Sequence, residues 1–124
     1  MKIEAIHPAT VSTAAPFYSS AVRAEGRQLL FISGQGPRDL GADLETQYRQ
    51  AFEQIQTLVT AAGGTMRNVA MLRAYFLNMA RDLATFRKVR QEFLVAPYPA
   101  STAVGVTELA VPRLEFEIEA VAVL

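Results

Sequence analysis

The run of residues 114–123 constrains the fold more than any other segment, because its side chains alternate between two unlike sets. Strict alternation is typical of a β-strand, in which successive side chains point to opposite faces. One face carries three glutamates followed by Val121 and Val123, so that Glu119 lies where this face becomes apolar. A carboxylate at the edge of a dry surface is paired, raised in pKa, or part of a functional site. Glu119 is therefore the first functional candidate. The other face is uniformly apolar and is predicted to enter the core: Leu114, Phe116, Ile118, Ala120 and Ala122.

Length and composition predict one domain spanning residues 1–124 and exclude several functions. Twelve basic and twelve acidic residues cancel, and no block of like charge indicates a nucleic-acid or membrane surface. The absence of cysteine excludes disulfides and thiolate catalysis, and the single histidine, His7, argues against a metal site. No apolar run approaches the roughly 20 residues of a membrane span, and the first residues do not resemble a signal peptide. We therefore expect a soluble, cytoplasmic protein.

The predicted elements follow one another in the order β-β-β-α-β-α-β-β. A turn signal at residues 25–27 separates two strand-like runs and predicts a β-hairpin. Asp43 is predicted to cap a first helix that ends at Gly63 and Gly64. Asp82 is predicted to cap a second helix that continues through Leu94.

Each predicted helix has a single apolar stripe, so the two helices can cover only one face of a sheet. The sequence thus predicts an α+β sandwich with a mixed sheet and two helices on one side. The fourth strand presents either its odd-numbered residues 71–77 or its even-numbered residues 72–76 to the other face, and both sets are partly apolar. An uncovered, half-apolar sheet predicts self-association.

Arg90 falls near the middle of the apolar stripe of the second helix. The pattern is interpreted as a long side chain whose charged end reaches solvent at the edge of the stripe. A role at an interface or in ligand binding stays open as the alternative.

Five segments, taken in order, resemble segments of the Rid (RidA/YjgF) family. Residues 15–22 are similar to its Gly-Pro-Tyr segment, and residues 31–37 to its Ser-Gly-Gln-x-Pro loop. Residues 61–64 resemble its Ala-Ala-Gly helix ending, and residues 98–106 its Pro-Ala-Arg-Ser segment. Residues 116–123 resemble its closing Ile-Glu-Ile-Glu-Ala-Ile-Ala-Val strand. Each motif alone is weak, but five in sequence indicate membership.

The resemblance implies a homotrimer of chorismate mutase-like α+β subunits, whose three sheets face inward and whose small-molecule clefts lie between subunits. Family members with the full motif set hydrolyse enamines and imines, such as 2-aminoacrylate, to a keto acid and ammonia without a cofactor. An older family name refers to an endoribonuclease. That activity is disfavoured here, because the chain has no histidine pair and no excess of basic residues for a phosphate track.

The resemblance also assigns candidate site residues. Glu119 matches the acidic residue proposed to orient or activate water and is the catalytic candidate. The candidates for substrate binding are Tyr18, Ser33, Arg87, Ser101 and Thr102. A purely structural role stays open for each of them: a packed aromatic, a residue bonded to loop backbone, a solvated helix residue, or strand residues that line a cleft without chemistry.

Ser101 departs from the family pattern, in which an arginine at this position binds the substrate carboxylate. A serine offers one neutral donor, whereas an arginine offers a charged, bidentate fork. The difference costs at least about tenfold in affinity for a small carboxylate. We therefore expect inefficient turnover of 2-aminoacrylate, unless Arg87, Arg90 or Arg113 supplies the charge from another direction. An enzyme acting on another enamine or imine and a non-catalytic trimeric binding or structural protein both stay open.

Overall fold

The computed structural model describes residues 1–11 and 18–124, so residues 15–17 of the first family-like segment lie outside the described residues. The order β-β-β-α-β-α-β-β is confirmed. None of the helices in the described part of the chain is long and apolar enough to span a membrane. The elements are β1 Lys2–Ile6, β2 Ala21–Glu25, β3 Leu29–Gln35, α1 Leu44–Ala61, a 3-10 turn Met66–Asn68, β4 Val69–Phe76, α2 Met79–Phe93, β5 Ala100–Gly105 and β6 Phe116–Val123.

The main sheet has the strand order β3-β6-β4-β5. It is mixed, because β4 and β5 run parallel whereas β6 is antiparallel to both β3 and β4. β1 and β2 form a separate antiparallel pair. A parallel bridge between Ser19 and Ala100 places the segment before β2 beside the start of β5.

The predicted hairpin between β2 and β3 is wrong, since β2 pairs with β1 and β3 pairs with β6. The backbone of the turn is bonded to the end of the chain instead of across a hairpin. The amides of Arg27 and Gln28 both donate to the carbonyl oxygen of Leu124, at 2.6 and 3.0 Å. Pairing with β6 also places Ile32 of β3 in the core.

Both helices pack on one face of the main sheet, as the single stripes predict. Asp43 caps α1, with Oδ1 accepting a hydrogen bond from the amide of Thr46 at 2.8 Å. The predicted core face of β6 is confirmed. From Met71 onward the even-numbered residues of β4 face the helices and the odd-numbered ones lie on the open face, whereas Val69, before the register irregularity, is buried. The core residues of the two helices and these strands are Tyr48, Ala51, Phe52, Ile55, Val59, Phe86, Val89, Leu72, Ala74, Phe76, Phe116, Ile118, Ala120 and Ala122.

Asp82 does not cap α2, which begins three residues earlier with Asn78 as its N-cap. The Asp82 side chain is fully buried and accepts a hydrogen bond from the hydroxyl of Tyr48 at 2.7 Å. Arg81 pairs with Asp82 at 2.5 Å and also with Glu115, just before β6. The cap prediction is wrong because Asn78 caps the helix and the Asp82 carboxylate is buried against the Tyr48 hydroxyl. It links α2 to α1 and, through Arg81, to the residue before β6.

Candidate functional site

The candidate residues occupy two regions on opposite faces of the main sheet. Alternation along β5 separates them. Ser101 is opposite the core residue Leu72 and faces the helices, whereas Thr102 is opposite Arg73 and lies on the open face. Glu119 is also opposite Arg73, from the other side. Thr102, Arg73 and Glu119 therefore form one row across the open face, while Tyr18, Arg87 and Ser101 line a cleft on the helix side.

Glu119 is held by two side chains of β4. Its Oε1 accepts a hydrogen bond from the hydroxyl of Tyr75 at 2.6 Å and another from Nη1 of Arg73 at 3.1 Å. Arg73 is its direct cross-strand neighbour, and Tyr75 reaches it along the diagonal, as a long aromatic side chain can. The carboxylate thus has a fixed position, although 32% of the side chain is exposed.

The electrostatic environment keeps Glu119 ionised. The hydrogen bond from Tyr75, followed by the charge and hydrogen bond of Arg73, lowers the pKa of Glu119 below its ordinary 4.5, against an opposing contribution from partial burial. The same bond raises the pKa of Tyr75, so its hydroxyl remains a donor. The sequence left three possibilities for this carboxylate: a paired group, a raised pKa, or a place in a functional site. The structure shows that it is paired. A paired carboxylate at neutral pH can accept a proton or hold a water molecule.

Ser33 lies at an irregularity of β3 beside Glu119. Ile32 is opposite Ala120 and Gln35 is opposite Ile118, so Ser33 and Gly34 together face the single residue Glu119. Two residues against one is the arrangement of a β-bulge, which re-aims side chains. A Cβ at Gly34 would lie 2.6 Å from the carboxyl carbon of Glu117, so a larger residue here would require the end of that flexible side chain to move.

The open face that carries Glu119 also has exposed apolar side chains, which no element in the described part of the subunit buries. Phe31 of β3 is 72% exposed, Leu29 is 60% exposed, and Val104 of β5 is 38% exposed. Met71 and Val121, between these strands, are half-buried. Large apolar side chains at such exposure in one continuous sheet face indicate a contact surface.

The second region is a cleft of about 190 Å³ between α2 and β5, lined by Tyr18, Leu83, Phe86, Arg87, Arg90, Ser101 and Ala103. The segment that carries Tyr18 is fixed to the start of β5 by Ser19. The amide of Ser19 donates to the carbonyl oxygen of Pro99 at 3.1 Å, and its hydroxyl donates to that of Tyr98 at 2.5 Å. The three sequence candidates in this cleft thus come from three separate segments of the chain.

Arg90 lies inside this cleft, with only 4% of the residue exposed. Its guanidinium carbon is 4.9 Å from the centre of the Phe86 ring, and its Nη1 donates to the hydroxyl of Ser101 at 3.1 Å. Burial, followed by repulsion from Arg87, lowers the pKa of Arg90 to about 10, so it remains a cation at neutral pH. The interpretation of Arg90 as a side chain that reaches solvent is wrong, because the Phe86 face and the Ser101 hydroxyl hold it in the cleft.

Sequence reasoning missed Tyr75 and Arg73 as partners of Glu119. Both faces of β4 read as partly apolar, so alternation alone did not decide which one joins the open surface. The sequence did contain an indication of the open face. Arg73 and Tyr75 are the only polar side chains of this strand, and both are odd-numbered, so they lie on the same face. Arg113, named as a possible replacement cation, is exposed in the loop before β6 and is not among the cleft-lining residues.

Comparisons with known proteins agree with this architecture. Residues 9–124 match the model of the family described as Endoribonuclease L-PSP. The RutC family protein YjgH of Escherichia coli is 36% identical over 110 residues, covering 85% of this chain and 81% of that protein. A protein of Dermatophagoides farinae named 2-iminobutanoate/2-iminopropanoate deaminase is 29% identical over 117 residues, covering 86% and 85%. The crystal structure of YyfB of Yersinia pestis, from the conserved Rid protein family, superposes over the whole of both chains with a TM-score of 0.86 and 32% identity.

Proposed function

The chain belongs to the Rid family, and on this premise we propose that it hydrolyses the enamine or imine of a small metabolite to a carbonyl compound and ammonia. The observation that carries the proposal is the Glu119 carboxylate, held ionised by Tyr75 and Arg73 on a sheet face that also carries exposed apolar side chains. The name of the Dermatophagoides farinae relative supports the same reaction class.

The proposed reaction needs water and one positioned base. An enamine first tautomerises to the imine, whose carbon becomes electrophilic when the nitrogen is protonated. A water molecule bound to Glu119 attacks this carbon while the carboxylate accepts its proton, which forms a carbinolamine. Glu119 then gives this proton to the amino nitrogen, and the C–N bond breaks with its electron pair leaving on ammonia. As the carbonyl forms, the hydroxyl proton passes to Glu119, which releases it to the departing ammonia and is again a carboxylate. A carboxylate that stays ionised suits the first of these transfers.

One subunit does not place Glu119 and the Ser101 cleft on the same side of the sheet, so the proposed site is shared between copies of the chain. In this proposal the open face of each subunit packs in a homotrimer, and the ligand clefts lie where subunits meet. The exposed apolar side chains Leu29, Phe31 and Val104 support this assembly. A non-catalytic trimer that only binds a ligand is the alternative, and loss of the Glu119 carboxylate separates the two.

We expect a trimer in multi-angle light scattering at micromolar concentration, and dissociation to folded monomers in the variant Phe31→Glu. A charge at this position, which is 72% exposed within one subunit, opposes burial between subunits but not folding of the subunit itself. The matched control is Leu58→Glu, at a position on the outer side of α1 that is 40% exposed, and it should leave the mass unchanged. A wild-type chain that runs as a monomer would contradict the shared site.

Ammonia release from 2-aminoacrylate, generated in situ, is expected to be absent or slow. The reason is that Ser101 gives a neutral contact where a guanidinium fork would bind a carboxylate attached to the reacting carbon. The assay compares this substrate with imines that carry no carboxylate on the reacting carbon, made by a flavin-dependent amine oxidase. Rapid turnover of 2-aminoacrylate would overturn this account of Ser101, whereas failure to hydrolyse any imine would overturn the proposed function.

A further inference from the structure

A row of glutamines on α1 holds the loop that follows β3, and the proposed reaction gives this row no role. Gln47, Gln50 and Gln54 share one face of the helix, because residues three and four apart are neighbours on a helix surface. All three are half-buried. Their amide groups reach the backbone of residues 36–42, which connect the end of β3 to α1.

Four hydrogen bonds join the row to the loop. They run from Nε2 of Gln54 to the carbonyl oxygen of Gly36 (2.5 Å), from the amide of Asp39 to Oε1 of Gln50 (2.9 Å), and from Nε2 of Gln47 to the carbonyl oxygens of Leu40 (3.2 Å) and Ala42 (2.8 Å). A loop cannot pair its backbone groups in a helix or sheet, so side chains of this kind fix its path. We call these three residues the glutamine clamp.

The clamp begins two residues after the β-bulge at Ser33 and Gly34, which together face Glu119. Gln35 holds the bulge from its other side, since its Nε2 donates to the carbonyl oxygen of Ser33 at 2.9 Å. A strand that slips by one residue turns its side chains to the opposite face of the sheet. Holding the carbonyl of Gly36 opposes such a slip, and it therefore keeps the side chain of Ser33 on the face that carries Glu119.

We propose that Gln54 is a positioning residue for imine hydrolysis, which fixes the bulge and thereby holds the Ser33 hydroxyl beside the Glu119 carboxylate. Gln54 binds the loop residue closest to the bulge, whereas Gln47 and Gln50 bind residues closer to α1. Gln54 does not touch the reacting atoms, and its effect passes through Ser33, the substrate-binding candidate of this loop. The inference rests on the proposed function in naming the reaction, whereas the order of the loop can be measured without any turnover.

Hydrogen exchange of residues 33–42, followed by mass spectrometry, tests the clamp itself. Gln54→Met keeps the length of the side chain but cannot donate to Gly36. Exchange in this segment should become about fivefold faster, the factor expected for the loss of one hydrogen bond. The matched control is Gln56→Met, the same substitution at an exposed position of the same helix, which should change nothing. Unchanged exchange in Gln54→Met, or equal acceleration in Gln56→Met, would overturn the clamp.

A double-mutant cycle tests whether Gln54 acts through Ser33. The substrate is the imine, formed by an amine oxidase, that the wild-type protein hydrolyses fastest. Gln54→Met and Ser33→Ala should each lower kcat/KM at least about tenfold, because a small misplacement of a substrate-orienting group is costly. The double variant should be little slower than Ser33→Ala alone, since the two residues act as one unit. Losses that multiply, or no loss in Gln54→Met, would reject the positioning role.

A second substitution protects the test against misfolding. Gln54→Glu keeps the shape of the side chain but has no donor for the carbonyl of Gly36, so it should reproduce both the faster exchange and the loss of activity. Wild-type behaviour of this variant in both measurements would overturn the assignment. A wild-type protein that hydrolyses no imine rejects the proposed function together with the role of Gln54 in it. Hydrolysis that is insensitive to both Gln54 variants rejects the positioning role alone.

Discussion

Replacing Glu119 with glutamine is expected to lower kcat for imine hydrolysis by about 100-fold or more, with little effect on folding. The amide keeps the size of the side chain and can still accept hydrogen bonds from Tyr75 and Arg73, but it cannot take a proton from water. The measurement is ammonia release from the best imine substrate, alongside the mass of the assembly. Loss of activity in an intact trimer would identify the carboxylate as catalytic. If the variant no longer forms a trimer and the wild-type protein hydrolyses no imine, the carboxylate has a structural role.

The matched control for this substitution is Tyr75→Phe, which removes the hydrogen bond that contributes most to lowering the Glu119 pKa. The carboxylate and its contact with Arg73 remain, so the activity at neutral pH should fall far less. The pKa of Glu119 in the folded protein lies below its ordinary 4.5. The ionised carboxylate therefore stabilises the folded protein above pH 4.5, and this contribution is lost as the pH falls through the lowered pKa. In Tyr75→Phe the acidic limb of the rate profile should move upward toward 4.5. An unchanged limb would mean that another group controls it.

The largest expected effect on stability comes from Asp82. Asp82→Ala should lower the free energy of unfolding by about 3 kcal/mol, because it leaves the buried Tyr48 hydroxyl without its acceptor and removes one of the two carboxylate partners of Arg81. Tyr48→Phe should cost about 1–3 kcal/mol. The two side chains are in direct contact, so the double variant should show a coupling of about 1 kcal/mol or more. Urea unfolding of the four proteins measures this cycle.

The control for the Asp82 cycle is the true cap of α2. Asn78→Ala should cost about 1 kcal/mol and combine additively with Tyr48→Phe, since the two residues share no hydrogen bond among those that the structure describes. If the costs of Asp82→Ala and Tyr48→Phe also add without coupling, Asp82 acts as an ordinary residue of the first helical turn and the buried link is not a source of stability.

Most of the fold followed from local pattern. The two-residue alternation of β6, the capping aspartate of α1, and the order of strands and helices are each encoded within a few neighbouring residues. A single apolar stripe on each helix also predicted the uncovered face. The family-like segments pointed to both regions of the candidate site, through Glu119 on the open face and through Tyr18 and Ser101 in the cleft.

The predictions that were wrong or undecided concern contacts between segments that are distant in the sequence. A turn at residues 25–27 looks like a hairpin, but the end of the chain supplies the hydrogen-bond acceptor there. The parity of β4 was undecided from the sequence, because both sets of its alternating side chains include apolar residues. The open face was settled by packing, since only the even-numbered set fits against the helices.

By itself, therefore, the sequence determined the periodicities of this protein, and with them its elements and the two-faced strand that carries Glu119. Only the tertiary structure decided the contacts that give single polar residues their character. Tyr48 binds Asp82 across 34 positions, and Tyr75 binds Glu119 across 44. Arg90 lies over the Phe86 ring one turn earlier on α2, and Ser101 of the distant strand β5 accepts a hydrogen bond from it. Periodicity reflects backbone geometry, which is local, whereas the partner of a buried charge is fixed only when distant segments pack together.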